Sequence, residues 1–264
     1  MIKLDFTTKE NFDFNDLVEI MKYLRAPDGC PWDRVQTHES IRSNFIEETY
    51  EVIEAIDNKD SELLKEELGD VLLQVVFHSE MSAEENEFDI NDVINGVCKK
   101  LVERHPHVFG DVKADNSEEA LLSWDNVKMN SKSQKKQSEA MDSVSKALPS
   151  LMRAEKIQKK AAKVGFDWDN VDGALDKVAE ETDELKEAVD SGSYEQQCEE
   201  LGDLLFSVVN VSRFLKVDSE KALYDACDKF TDRFKALEIL ADERGIDIKT
   251  ASLSQLDSLW EEVK

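Results

Sequence analysis

Glu48 and Glu51 stand three residues apart, and so do Glu67 and Asp70. On a helix that spacing puts both members of a pair on one face. Two such helices laid side by side would gather four carboxylates around one point. Like charges so gathered repel, and burying them unpaired is costly. A hard divalent cation relieves both costs, and a donor set of oxygens without Cys or His points to Mg²⁺, with Mn²⁺ as a substitute, over Zn²⁺. The set recurs as Glu181, Glu184, Glu200 and Asp203. Two glutamates on one face of a helix in an acidic chain are ordinarily just solvated surface. A whole pattern repeated at a fixed interval is different. Glu-Glu-Thr-Tyr-Glu at 47–51 returns as Glu-Glu-Thr-Asp-Glu at 180–184, and in each copy Glu-Leu-Gly-Asp begins sixteen residues after the last glutamate.

The elements that must position these acids are helices. Leu64, Leu68, Val71, Leu72, Val75 and Val76 recur at three- to four-residue steps, as do Leu201, Leu204, Leu205 and Val208; this is the period of a helical stripe. The preceding helix carries the Glu-Glu-x-x-Glu segment, with Phe45, Val52 and Ile56 on its apolar side. Asn58-Lys59-Asp60 and Ser191-Gly192-Ser193 read as the turns, so each helix pair is expected to be antiparallel. Ser61 or Ser193 is a candidate cap for the second helix of a pair.

Weaker echoes surround the acids in the same order: Gly-Cys-Pro-Trp-Asp at 29–33 with Gly-Phe-Asp-Trp-Asp at 165–169, Cys98-x-Lys100-x-x-x-Arg104 with Cys227-x-Lys229-x-x-x-Arg233, and a closing Trp at 124 and 260. Ordered matches of this kind identify a tandem duplication. The expected domains are 1–128 and 149–264, joined by a solvated linker over 129–148, whose first part is rich in Ser, Lys and Gln. With nine Gly, four Pro and 35% charged residues among 264, the expected class is all-α, a repeat of two similar helical domains. Each helix pair is half of a four-helix bundle, which a second copy would complete; a homodimer or larger assembly is expected.

The charge bounds the partners. There are 59 acidic against 33 basic residues, a formal net charge of −26, which argues against duplex nucleic acid and against an anionic membrane surface. The N-terminal stretch shows no basic segment followed by an apolar one, and the four cysteines form no C-x-x-C pair; a cytoplasmic location is expected.

The repeated Glu-Glu-x-x-Glu…Glu-x-x-Asp, with Gly-Cys-Pro-Trp-Asp and Arg-His-Pro-His-Val-Phe at 104–109, resembles the MazG family of the all-α nucleoside triphosphate pyrophosphohydrolases over essentially the whole chain. The resemblance implies cleavage of a nucleoside triphosphate between the α- and β-phosphates, to monophosphate and pyrophosphate, in a housecleaning role with broad specificity. The residues agree with such chemistry. No G-x-x-x-x-G-K-[ST] or G-x-G-x-x-G loop occurs, so metal and basic side chains must grip the phosphates. Lys229 and Arg233, four apart on one helix face, suit that task, as does Lys177, one turn before Glu181. Lys100 and Arg104 match the first two, but Asn44 stands where the second copy has Lys177, so the second site is expected to dominate. By the resemblance, Trp260 closes over the nucleotide; the alternative is an aromatic that covers the core. Glu181, Glu184, Glu200 and Asp203 are assigned to metal and Glu180 to the attacking water, with Glu180 and Glu181 exchangeable as the catalytic base.

His105-x-His107 occurs only in the first copy and reads as a loop packed around Pro106. Asp167, Asp169 and Asp172 do not keep the register of a calcium loop. Two rivals remain at this stage. One is a non-enzymatic helical regulator that binds Mg²⁺ or nucleotide and signals through a protein partner; the other is a dUTP- or dCTP-specific hydrolase of the same superfamily.

Overall fold

The computed structural model describes residues 6–117, 119–121, 123, 124, 127 and 137–264. The expected boundary at 128 and 129 and the linker residues up to 136 lie outside the described residues. Every regular element among the described residues is helical, and the chain divides into two compact units, Met1–Ser131 and Lys132–Lys264. No described helix is long and apolar enough to cross a membrane.

In the first unit, α1 (Phe14–Arg25) starts from an Asp13 N-cap closed by Asp16 in a capping box. α2 (Arg42–Asn58) and α3 (Ser61–Glu84) form the expected antiparallel pair, and α3 also packs against α1 and α4 (Ile90–Arg104). Lys59 ends α2 in the left-handed region at φ 55°. Asp60, and not Ser61, caps α3 by accepting from the backbone N–H groups of Glu62 and Leu63. A carboxylate does this work better beside the positive end of a helix. The core joins Met21, Ile41, Val76, Phe77, Met81 and Ile90, each full burial stabilising by about 1.5–3 kcal/mol. Arg25 fastens the connection between α1 and α2: its guanidinium meets both oxygens of Glu84 at 2.7 Å and donates to the Asp33 carbonyl at 2.6 Å. Pro106 opens a one-turn helix, α5 (Pro106–Phe109), in place of the expected loop. A proline fits the first helical position because its missing N–H would have no partner there.

In the second unit, α6 (Gln137–Asp142) lies within the expected linker and packs on α7 (Ser150–Ala162). Ala140 and Val144 are buried, so this part of the segment is not solvated as expected: its two apolar side chains find cover. α8 (Val171–Ser191) and α9 (Tyr194–Leu215) repeat the antiparallel pair, with Gly192 at φ 75° in the place of Lys59 and Ser193 as the α9 cap. Gln158 of α7 donates to the Phe206 carbonyl of α9 at 2.7 Å. α10 (Ser219–Glu243) and α11 (Leu253–Glu262) share a core of Leu237, Ala241 and Leu259.

The apolar stripes read from the sequence split in two. Val76 is buried, but Leu68 and Leu72 of α3 remain exposed, as do Ile46, Tyr50 and Ile53 of α2 and Leu201, Leu205 and Val208 of α9. One side of each stripe meets its own unit. The other is not covered by the described residues of its own unit.

Candidate functional site

Each helix pair brings its acids together. In the first unit, one oxygen each from Glu48 of α2 and Glu67 and Asp70 of α3 lie within 4.8 Å of one another. Glu51 stands outside that trio but hydrogen-bonds with Glu48 and with Glu67. Burial, the hydrogen bond with Glu51 and the neighbouring carboxylates hold Glu48 above the usual carboxylate range. Glu67 is raised by burial, then by Glu51 and Asp70.

In the second unit the trio is Glu181 and Glu184 of α8 with Glu200 of α9, again within 4.8 Å. Asp203 lies outside it, exposed, and acts on Glu200 through its charge. Glu184 is raised first by its hydrogen bond with Glu181, and Glu200 first by burial and then by the charge of Glu181. The two copies therefore do not present the same three of four acids. Glu181 is the most enclosed, 4% exposed. One of its oxygens meets Lys177 Nζ at 2.5 Å; the other, Oε2, is buried without a hydrogen-bond partner. Lys177 also contacts Glu180 Oε1 at 2.9 Å, and the two carboxylates hold its ammonium well above the usual lysine range. Asn44 gives the first cluster no such cation.

This donor set fits a hard divalent cation: carboxylate oxygens from two helices, four acids held above their ordinary range by burial, hydrogen bonding and then neighbouring charge, and a buried oxygen without a partner. Apart from Lys177, the residues expected to bind phosphate in the second unit lie on other elements. Lys229 and Arg233 are on α10 and form no ion pair among the described residues, nor do they bond to the trio. Trp260 of α11 packs on the Leu237–Ala241–Leu259 core, its ring 5.1 Å from that of Phe230, which is the packing of the core-covering alternative. In the first unit Lys100 is exposed, and the Arg104 guanidinium sits 5.5 Å from the Trp124 ring, a cation–π pairing.

Two features were not read from the sequence. Thr49 and Thr182, at the same position of the two motifs, each donate to the carbonyl four residues back at 2.7 Å; their recurrence was the available signal. His38 and His78, forty residues apart, stack with their Nδ1 atoms 2.7 Å from each other. Burial lowers His78 below its ordinary range, and no local spacing announces such a pair.

A family model described as the MazG nucleotide pyrophosphohydrolase domain matches residues 36–109 and 171–237. Each segment contains one complete acid motif. The nucleoside triphosphate pyrophosphohydrolase/pyrophosphatase MazG of Thermotoga maritima is 48% identical over 251 residues, which cover 95% of this chain and 95% of that protein. The nucleoside triphosphate pyrophosphohydrolase of Escherichia coli K12 is 44% identical over 254 residues, 94% of this chain and 95% of its own length. The uncharacterized protein YabN of Bacillus subtilis is 46% identical over 255 residues, 96% of this chain but 52% of YabN.

Proposed function

The chain belongs to the MazG nucleotide pyrophosphohydrolase family, and from that premise we propose that it hydrolyses nucleoside triphosphates between the α- and β-phosphates with Mg²⁺ held by its carboxylate clusters. The observation that carries this reading is the trio of Glu181, Glu184 and Glu200, which bring one oxygen each within 4.8 Å of one another, with Glu181 Oε2 buried and without a hydrogen-bond partner. Mg²⁺ supplies charge neutralisation on phosphate oxygens and acidifies water. Glu181, Glu184, Glu200 and Asp203 hold it. Lys177, Lys229 and Arg233 bind phosphate oxygens, offsetting the repulsion between a triphosphate and a chain of charge −26. Glu180, exposed beside Lys177, takes the proton from the attacking water, and Trp260 stacks on the nucleotide from the edge of its core.

The C-terminal cluster is the dominant one, because Lys177 has only Asn44 as its counterpart. The exposed apolar faces of the helix pairs support assembly with a second copy. Broad specificity suits a site whose recognised chemistry is the triphosphate. Hydrolysis measured with Mg²⁺, with Mn²⁺ and with a chelator, in the wild type, Glu181→Gln and Glu48→Gln, tests the reading. Glu181→Gln is expected to lose about a hundredfold or more in kcat, and Glu48→Gln to retain most activity. Full activity in Glu181→Gln with loss in Glu48→Gln would overturn the ranking of the sites.

A further inference from the structure

The two acid clusters differ in one charge, and it lies against a carboxylate of the converging trio. Lys177 Nζ contacts Glu181 Oε1 at 2.5 Å and Glu180 Oε1 at 2.9 Å. Glu181 is one of the three acids whose oxygens converge, and its other oxygen is buried and unpartnered. A divalent ion drawn to that convergence meets the ammonium of Lys177 at the same carboxylate. Two cations on one carboxylate repel, so the ion enters at full strength only if Lys177 leaves. Lys177 is one-third exposed, and its flexible stem allows the head to turn outward. In water alone the displaced ammonium exchanges an ion pair for solvent. Beside a triphosphate it exchanges one anionic partner for another.

Resting on the proposed metal-dependent reading, we propose that Lys177 is a competing cation of the C-terminal cluster that passes from Glu181 to the substrate's phosphate, so that divalent ion and nucleotide load this site cooperatively. The N-terminal cluster has no cation at this position, since Asn44 replaces the lysine. It takes a divalent ion without nucleotide, because the ion alone relieves the repulsion among Glu48, Glu51, Glu67 and Asp70. The coupling is reciprocal: the ion must favour nucleotide binding by the factor by which nucleotide favours the ion.

Mn²⁺ titration followed by electron paramagnetic resonance, with the full chain and no nucleotide, reads this without turnover. Two classes of site are expected, the tighter removed by Glu48→Gln and the weaker by Glu184→Gln. Lys177→Asn should tighten the weaker class about tenfold, an ordinary size for such coupling, while Lys177→Arg should leave it as in the wild type. The reverse graft, Asn44→Lys, should weaken the tighter class by a similar factor. In the Glu48→Gln protein, an α,β-methylene nucleoside triphosphate should tighten the remaining Mn²⁺ site, and Lys177→Asn should abolish most of that gain. Unchanged Mn²⁺ affinity in both Lys177→Asn and Asn44→Lys would overturn the competition while leaving the metal sites standing. Mn²⁺ binding indifferent to Glu48→Gln and Glu184→Gln alike would sink the metal reading, and this proposal with it.

Discussion

Glu181 presses one oxygen against Lys177 and keeps the other buried without a partner; its neighbours crowd the same small space. Burial and these neighbours together disfavour the ionised acids. Glu48, Glu67 and Glu200, raised first by burial, and Glu184, raised first by its hydrogen bond with Glu181, are all held above the ordinary 4.5. A raised folded-state pKa favours the protonated acid in the fold. Its stabilising effect is thus complete below pH 4.5 and is lost as pH rises through the folded value, leaving repulsion at neutral pH. A bound cation cancels that repulsion, so added Mg²⁺ should raise the melting temperature at pH 7 and add little below pH 4.5. Calorimetry at the two pH values checks this, and an equal shift at both would contradict it. The acids were legible because helical spacing alone groups them. The Lys177 contact was not: spacing puts the lysine one turn before Glu181, but only packing decides whether it faces phosphate or carboxylate. The His38–His78 pair was invisible for a simpler reason, since it joins a connecting segment to α3 across forty residues.

The helix pairs were the most legible elements, and their turns show why the boundaries were less so. Lys59 and Gly192 occupy equivalent left-handed positions, at φ 55° and 75°. A side chain there costs about 1 kcal/mol, which glycine avoids. Lys59→Gly should therefore stabilise the first unit by up to about 1 kcal/mol, and Gly192→Ala should destabilise the second by about as much. Denaturant unfolding of each variant tests the pair, and matching signs for the two substitutions would contradict the account. The sequence left the α3 cap open, with Ser61 as a candidate, because Asp60 and Ser61 are adjacent and both have capping chemistry; backbone geometry chose Asp60. The helix of Pro106–Phe109 escaped notice because one turn has no periodicity to read.

At the scale of the molecule, duplication explains why 264 residues hold two acid clusters, and the exposed faces of α2, α3 and α9 explain why a single chain is not the expected working unit. Light scattering should give a mass of at least two chains, and Leu205→Asp, which puts a charge on an exposed apolar face, should shift the assembly towards single chains. A single-chain mass for the wild type would contradict the bundle-completing assembly. Most of the −26 charge belongs to acids outside the two motifs, so the acidity that argues against polynucleotides says nothing against mononucleotides bound with metal and a few placed cations. The most direct test of the central claim is the identity of the products. With the wild-type protein, Mg²⁺ and a nucleoside triphosphate, phosphorus NMR should show pyrophosphate and nucleoside monophosphate appearing together at equal rates. Orthophosphate and nucleoside diphosphate as the first products would contradict it.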